Sequence, residues 1–291
     1  MAGLADFEAQ AFLNHVTGAI PLATPANRFV ALFTAPPTAD AGTGGTEVSG
    51  GSYARTQVAG AVTAAGAIST GSSTITMPNV SGSPWVVPGM NVYDLTNGKQ
   101  IGTVLSWVGT TLTLTGNAAN NGSGSTDSLQ FSAWPAATAS AGAEPATTPA
   151  NVANGGAVTF PASTASWGTA ESWALYDAST SGNMLFWDYF GNYKWSPFTC
   201  TNASPGVLTC TDQTFVNGQF AVVTAKFGGA MPTGGSFVGI QTVAGVSGST
   251  FNLGINTTST GDGLIRQVLE YAIGISSTIS FAASAFTIQL A

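Results

Sequence analysis

The chain has 291 residues, enough to bury a sizeable core, yet only 7% are charged while 44% are apolar and 37 are Gly. Its net charge is −7 and its six basic residues are scattered, which leaves no patch for phosphates and excludes nucleic acid as an expected partner. Seven Trp, six Tyr, sixteen Phe and a positive mean hydropathy exclude general disorder, so a surface this poor in charge is expected to be covered by self-association or by docking on something large.

In chain order, Leu4, Phe7, Ala11, Phe12 and Val16 recur at helical spacing and Pro21 bars continuation, which predicts a short amphipathic helix over 3–17. The start carries neither a basic nor an apolar leader pattern, so no signal peptide is expected. The period then changes: "NRFVALFT" (27–34) and "SYARTQV" read as strands around the Pro- and Gly-rich loop "APPTADAGTGG". Residues 66–133 hold five short β-rich runs, with Asn97-Gly98 and Gly109-Thr110 as hairpin turns. The stretch 134–156 is low-complexity and reads as a linker or an extended wrapping segment. Strands are expected again at "AVTFPA", "SWALYD" and "MLFWDYF", and 194–268 repeats the β texture between Gly-rich turns. Only "LIRQVLEYAIGI" is ambiguous between helix and strand, and the Ser- and Thr-broken C-terminal stretch reads as strands rather than a membrane-spanning helix.

Taken in order, "FLNHV", "FVALFTAPP", "GTEVSGGSYAR", "VTFPASTASWGTAESWALYDASTSGNMLFW" and "ISFAASAFTIQL" resemble a family of tailed-phage virion proteins of tail-fibre, minor tail or head-decoration type. The resemblance implies a mainly β fold: a β-sandwich-like core with a short N-terminal helix and two β-rich insertions. The core would combine 1–65, 134–193 and 269–291, with 66–133 and 194–268 as the inserted modules. It implies a non-enzymatic structural protein of the virion, assembled in the bacterial cytoplasm, that self-associates as a homotrimer and contacts capsid, neck or tail proteins. The alternative is a receptor-binding fibre whose insertions read a bacterial surface glycan or protein. The resemblance brings no catalytic motif, cofactor or metal site with it, and the N-terminal helix is expected to serve attachment.

The resemblance also makes "GGTEVSGGSYAR" (44–55) a corner in which Glu47 and Arg55 are candidates for a pair pinning the loop to the following strand, with the Tyr53 ring against the core; two independent solvated charges are the other reading. Glu171, Asp177 and Asp188 are the carboxylates nearest to the Trp-rich region. A glycan-cleaving pair would need two acids facing one cleft, whereas Asp177 before Ser-Thr-Ser-Gly is a turn-former. The lone His15 cannot build a zinc site by itself. The stretch "MLFWDYFGNYKWSPF" carries seven aromatic residues, and within it Leu185 and Trp187 would share one face of a strand in the core. Tyr193 and Trp195 are the candidates for an interface or a ligand. Cys200 and Cys210 flank a turn, and a disulfide and two free thiols both remain open.

Overall fold

A computed structural model describes residues 3–20, 27–37, 44–62, 68, 71–77, 82–118, 128–135, 150–191 and 194–290. Among these, one helix, α1 (Asp6–Val16), accompanies many short strands. The strands up to residue 189 are β1 (Gly3–Leu4), β2 (Asn27–Ala35), β3 (Thr46–Glu47), β4 (Thr56–Val62), β5 (Thr74–Thr76), β6 (Asn91–Asp94), β7 (Lys99–Val108), β8 (Thr111–Leu114), β9 (Leu129–Ser132), β10 (Ala150–Ala153), β11 (Val158–Thr159), β12 (Gly168–Ala170), β13 (Ser172–Tyr176) and β14 (Met184–Tyr189). After them come β15 (Ser196–Cys200), β16 (Val207–Thr209), β17 (Phe220–Thr224), β18 (Gln241–Thr242), β19 (Ala244–Ser247), β20 (Thr250–Asn252), β21 (Gly261–Val268), β22 (Tyr271–Ile273), β23 (Ser280–Phe281) and β24 (Thr287–Leu290). The protein is mainly β, with one short helix at its N-terminal end.

The chain divides into two compact units, one of residues 2–188 with 272–291 and one of residues 189–271. The larger unit is built on an eleven-stranded sheet in the order β1-β14-β13-β2-β4-β9-β6-β7-β8-β5, with β3 on the flank of β2. The strands of 74–132 continue this sheet: β4 pairs antiparallel with β9 (Gly60 opposite Phe131), and β9 with β6 (Phe131 opposite Val92). The Gly109-Thr110 turn joins Val108 to Thr111 directly, with Gly109 at φ +55° as this tight hairpin turn requires. At the other turn, Asp94 and Lys99 are paired, and the fully buried Asp94 carboxylate accepts the Asn97 N–H and side-chain amide, closing the loop from within.

β13 runs between β14 and β2, with Trp173 opposite Leu32 and Tyr176 opposite Phe29, and every residue of it is buried. Strands buried on both faces read as continuous apolar runs, which is why "SWALY" shows no alternation. In β14 Leu185 and Trp187 are buried, and so are Met184, Phe186 and Asp188 on the opposite side. An unbroken line of rings organises this core. Trp173 touches Trp134, Phe186 and Phe286; Phe286 touches Phe281; Phe281 touches Phe160; and Phe160 stacks on Tyr53, with every centroid separation between 4.8 and 6.4 Å.

Three sequence expectations are refined. The helix keeps only 6–16 of 3–17, because Gly3 and Leu4 pair with Trp187 and Phe186 at the edge of the sheet instead. "SYARTQV" becomes a strand only from Thr56, since 50–55 is taken up by the corner described below. "LIRQVLEYAIGI" is strand, not helix: β21 lies between β15 and β17, with Ile265 opposite both Ser196 and Val223. Of the low-complexity stretch, 136–149 lies outside the described residues, while β10 pairs with β24.

Residues 189–271 have their own core. A seven-stranded sheet in the order β18-β17-β21-β15-β16-β20-β19 buries Phe198, Leu208, Phe215, Phe251 and Ile265 with Cys200 and Cys210. In the core of the larger unit, Trp173, 1% exposed, is in contact with three other rings. Trp173→Ala is expected to destabilise this unit by about 3–5 kcal/mol, measured by chemical denaturation. An unchanged midpoint would show that the ring line does not organise this core.

Candidate functional site

The charged residues of 44–55 meet at one corner. Arg55 grips Glu47 with two parallel hydrogen bonds: Nε donates to Oε1 at 2.8 Å and Nη2 to Oε2 at 2.7 Å. The Arg55 side chain is only 9% exposed and Glu47 27%. A planar guanidinium matches a carboxylate in this two-pronged way, as an ammonium cannot. The remaining arm, Nη1, donates to the carbonyls of Ala178 (3.0 Å) and Ser181 (2.6 Å) in the turn between β13 and β14. The flat face of the guanidinium lies 3.6 Å from the centroid of the Tyr176 ring.

Local chemistry builds both halves of this receptacle. In the turn at 177–183, Asp177 accepts the Asn183 N–H at 2.7 Å and its side-chain amide at 2.8 Å, folding the loop and fixing the carbonyls that face Arg55. On the other side, Glu47 lies in β3 opposite Phe33, and the Val48 N–H donates to the Leu32 carbonyl. Gly50 and Gly51 then reverse the chain with positive φ. A Cβ on Gly51 would come within 2.9 Å of Trp167 Nε1 and 3.0 Å of the Ala165 nitrogen, so only glycine fits. The Gly51 carbonyl accepts from Trp167 Nε1 (3.0 Å) and the Thr164 N–H (2.8 Å), tying the corner to the 160–167 segment.

Tyr53 occupies the centre. Its hydroxyl accepts the Leu32 N–H at 2.9 Å and donates to Glu47 Oε1 at 3.2 Å, while its ring stacks on Phe160 and meets Trp167 edge-on. Burial is the main cause that pushes its phenol well above the ordinary tyrosine range. For Arg55, burial acts to lower the pKa, but the hydrogen bonds and charge of Glu47 outweigh it and the group ends above its usual value. Burial also raises Tyr176. Each carboxylate oxygen of Glu47 already accepts a hydrogen bond, so the geometry is that of a clamp and not of a proton-transfer group.

The other residues singled out in the sequence do not meet at this corner. Glu171 donates its backbone N–H to Phe33, Asp177 closes its own turn, and Asp188 is buried in β14. His15 sits in the last turn of α1. Tyr193 lies outside the described residues. Trp195 has the Arg266 guanidinium over its ring at 4.8 Å, and Arg266, itself 2% exposed, also lies over Tyr189 at 5.7 Å. Cys200 and Cys210 are free, buried thiols. In the β15–β16 register Cys200 faces Leu208, so Cys210 stands on the diagonal, about 7–8 Å away and beyond the usual reach of a disulfide.

Sequence reasoning missed the acceptor carbonyls of Ala178 and Ser181, the Tyr176 platform and the Trp167 bond to Gly51. The "ASTSG" turn and the ring of "ALYD" were visible, but nothing local pairs them with a residue more than 120 positions away. Among the described residues, no helix is long and apolar enough to cross a membrane.

Two outcomes test the clamp. Glu47→Gln leaves the buried Arg55 without its counter-charge and is expected to cost about 2–3 kcal/mol, read by thermal or chemical unfolding. The folded protein holds the Tyr53 proton that unfolded tyrosine releases near pH 10. Its contribution is therefore intact below about pH 10 and is lost as pH rises beyond it, and Tyr53→Phe should remove part of that alkaline loss. Identical alkaline unfolding of the two proteins would contradict this.

A family model described as "Podophage GP4 fiber I protein gp80" matches residues 3–132 and 107–195, well over half of the chain. No curated protein sequence matches.

Proposed function

Because the chain belongs to the podophage GP4 fiber I protein gp80 family, a family of tailed-phage virion fibre proteins, we propose that it acts without catalysis, as a self-associating structural subunit assembled into the particle in the host cytoplasm. The observation that carries this reading is the outer face of α1. None of the helix residues is buried, and Phe7, Phe12, Leu13 and Val16 are 45–64% exposed, followed by Ile20 at 58%. Phe12, Leu13 and Val16 share one side of the helix, with Phe7 on the other, and apolar side chains left in water are stabilised by a partner, at about 1.5–3 kcal/mol for each one fully buried. The helix is accordingly the assembly element, and contact with copies of the chain as a homotrimer, or with capsid, neck or tail proteins, is what it serves. The corner of Glu47 and Arg55 fits the same reading, since it spends the rare charges of the larger unit on architecture.

A second reading, host recognition through the 194–268 region, is favoured by one specific observation: Phe227 stands fully exposed at the tip of a turn in this unit.

Deleting the N-terminal segment is a poor test, because Gly3 and Leu4 are sheet residues and Ala5 is buried. The sharper variant is Phe12→Asp with Leu13→Asp. Light scattering at micromolar concentration is expected to give a trimer for the native chain and a smaller species for the variant, with unchanged circular dichroism. A monodisperse native monomer would refute self-association, and normal incorporation of the variant into particles would refute the helix as the assembly element.

A further inference from the structure

One end of the 189–271 sheet is unlike the rest of the protein. β15 and β17 both run antiparallel to β21, so the end of β15, the end of β17 and the start of β21 lie at the same edge. Val207 of β16 pairs with Asn252 of β20 at that edge too. The three connections 201–206, 225–240 and 253–260 therefore converge there.

They are locked to each other. Thr257, 5% exposed, donates its hydroxyl to the Thr201 carbonyl at 2.7 Å and accepts the Ala203 N–H at 3.1 Å. Ser204 Oγ donates to Asn256 Oδ1 at 2.8 Å, and the Gly206 N–H to the Ile255 carbonyl at 2.8 Å. The Thr258 N–H donates to the Thr233 carbonyl at 2.7 Å, and the Thr233 N–H to Ser259 Oγ at 3.0 Å. Gly234, at φ +114°, lies so close to this seam that a Cβ would stand 2.7 Å from the Thr258 nitrogen. Three loops thus form one plate whose backbone order is fixed before anything binds, which removes much of the entropy cost of recognition.

On this plate stands the most exposed large apolar side chain of the described residues. Phe227 is 103% exposed, on a turn closed by the Gly229 N–H to the Lys226 carbonyl at 2.9 Å. Asp262 pins the next residue from both sides: its carboxylate accepts the Ala230 N–H at 2.8 Å and its own N–H donates to the Ala230 carbonyl at 2.9 Å. Val238, 84% exposed, precedes β18, which pairs with β17, and so belongs to the same edge. Exposed Thr201, Asn202, Ser204, Asn256, Thr258 and Thr260 share this face with exposed Ala, Pro and Gly, and Lys226 is the single charge in the three loops.

That chemistry selects its ligand. Protein hot spots are rich in Trp, Tyr and Arg, all absent from these loops. Acidic ligands call for clustered cations, and one Lys is no cluster. Hydroxyls and carboxamides offer donors and acceptors side by side, which suits the hydroxyls of a sugar, and a rigid ring suits the apolar C–H face of a pyranose. We propose that the loop face of 201–206, 225–240 and 253–260 binds an uncharged, hydroxyl-rich glycan, with Phe227 stacked on a sugar ring. This deepens, and rests on, the host-recognition reading above.

The test uses the full chain on immobilised neutral polysaccharides (dextran, mannan, galactan) beside acidic ones (alginate, hyaluronate), with adsorption of labelled protein to host cells measured in parallel. Retention on at least one neutral matrix is expected, falling about tenfold or more in Phe227→Ala with unchanged circular dichroism and Tm. Asn256→Ala, in the same plate, should weaken retention as well. Retention only on acidic matrices, retention insensitive to Phe227→Ala, or no retention at all would overturn the proposal. If cells still bind the native chain in those cases, host recognition stands and only this face fails; if cells bind nothing, host recognition fails with it.

Discussion

The larger unit depends on one ion pair, Arg55 on Glu47, because that pair is where chain segments distant in sequence are fastened together. The guanidinium spans β3, the start of β4 and the turn of the β13–β14 hairpin, and Tyr53 carries the connection on to β2 and to Phe160. The bonds to Ala178 and Ser181 join residues more than 120 positions apart, at an entropic cost that the eight-residue Glu47–Arg55 closure does not bear. Such a pair is asymmetric in its energetics: intact it contributes modestly, but losing Glu47 strands the Arg55 charge, whose side chain is only 9% exposed. A chain with so few charges can keep this one only if every polar atom is satisfied. Here both Glu47 oxygens and all three Arg55 nitrogens have partners.

The corner and the core are one construction. Tyr53 joins Trp167 to a line of rings that begins at Phe186 and passes through Trp173, Phe286, Phe281 and Phe160, so a shift at the corner is felt as repacking in the sheet. The same tyrosine faces both ways, with its ring in the apolar line and its hydroxyl in the polar knot. The buried ring is the main reason that its pKa is raised. For a fibre subunit, which must keep its shape outside a cell, rigidity of this kind is a function in itself.

Residues 189–271 solve a different problem with the same composition. Their sheet buries Phe, Leu and two thiols, and at one end its connections are stitched by Thr, Ser and Asn together with the Asp262 carboxylate. Uncharged polar groups in loops hydrogen-bond neighbouring backbone readily, which converts irregular segments into fixed ones without ion pairs. The outcome is a surface that is both ordered and neutral. A charge-poor sequence therefore yields an apolar helix face at one place and a hydroxyl-rich plate at another.

The sequence by itself determined the features that local physics controls. Period-two runs and Gly- or Asn-centred turns specified a mainly β chain, and helical spacing before Pro21 specified the short N-terminal helix, whereas the corner at 44–55 was implied by the family resemblance. Which strands pair was decided only by the tertiary structure, because pairing depends on partners distant in sequence. Periodicity could not say that β9 bridges β4 to β6, nor that 264–268 is strand, where a short apolar run fits both periods until β15 and β17 close on it. The cysteines show the limit most plainly. A turn between them suggested proximity, yet the register places Cys200 opposite Leu208, two residues short of Cys210, and leaves the thiols on a diagonal. The charge pair was legible as two residues eight apart, but the carbonyls of Ala178 and Ser181 and the Tyr176 face that complete it arrive from a hairpin more than 120 residues away. No local pattern encodes that meeting, because it exists only once the sheet has formed.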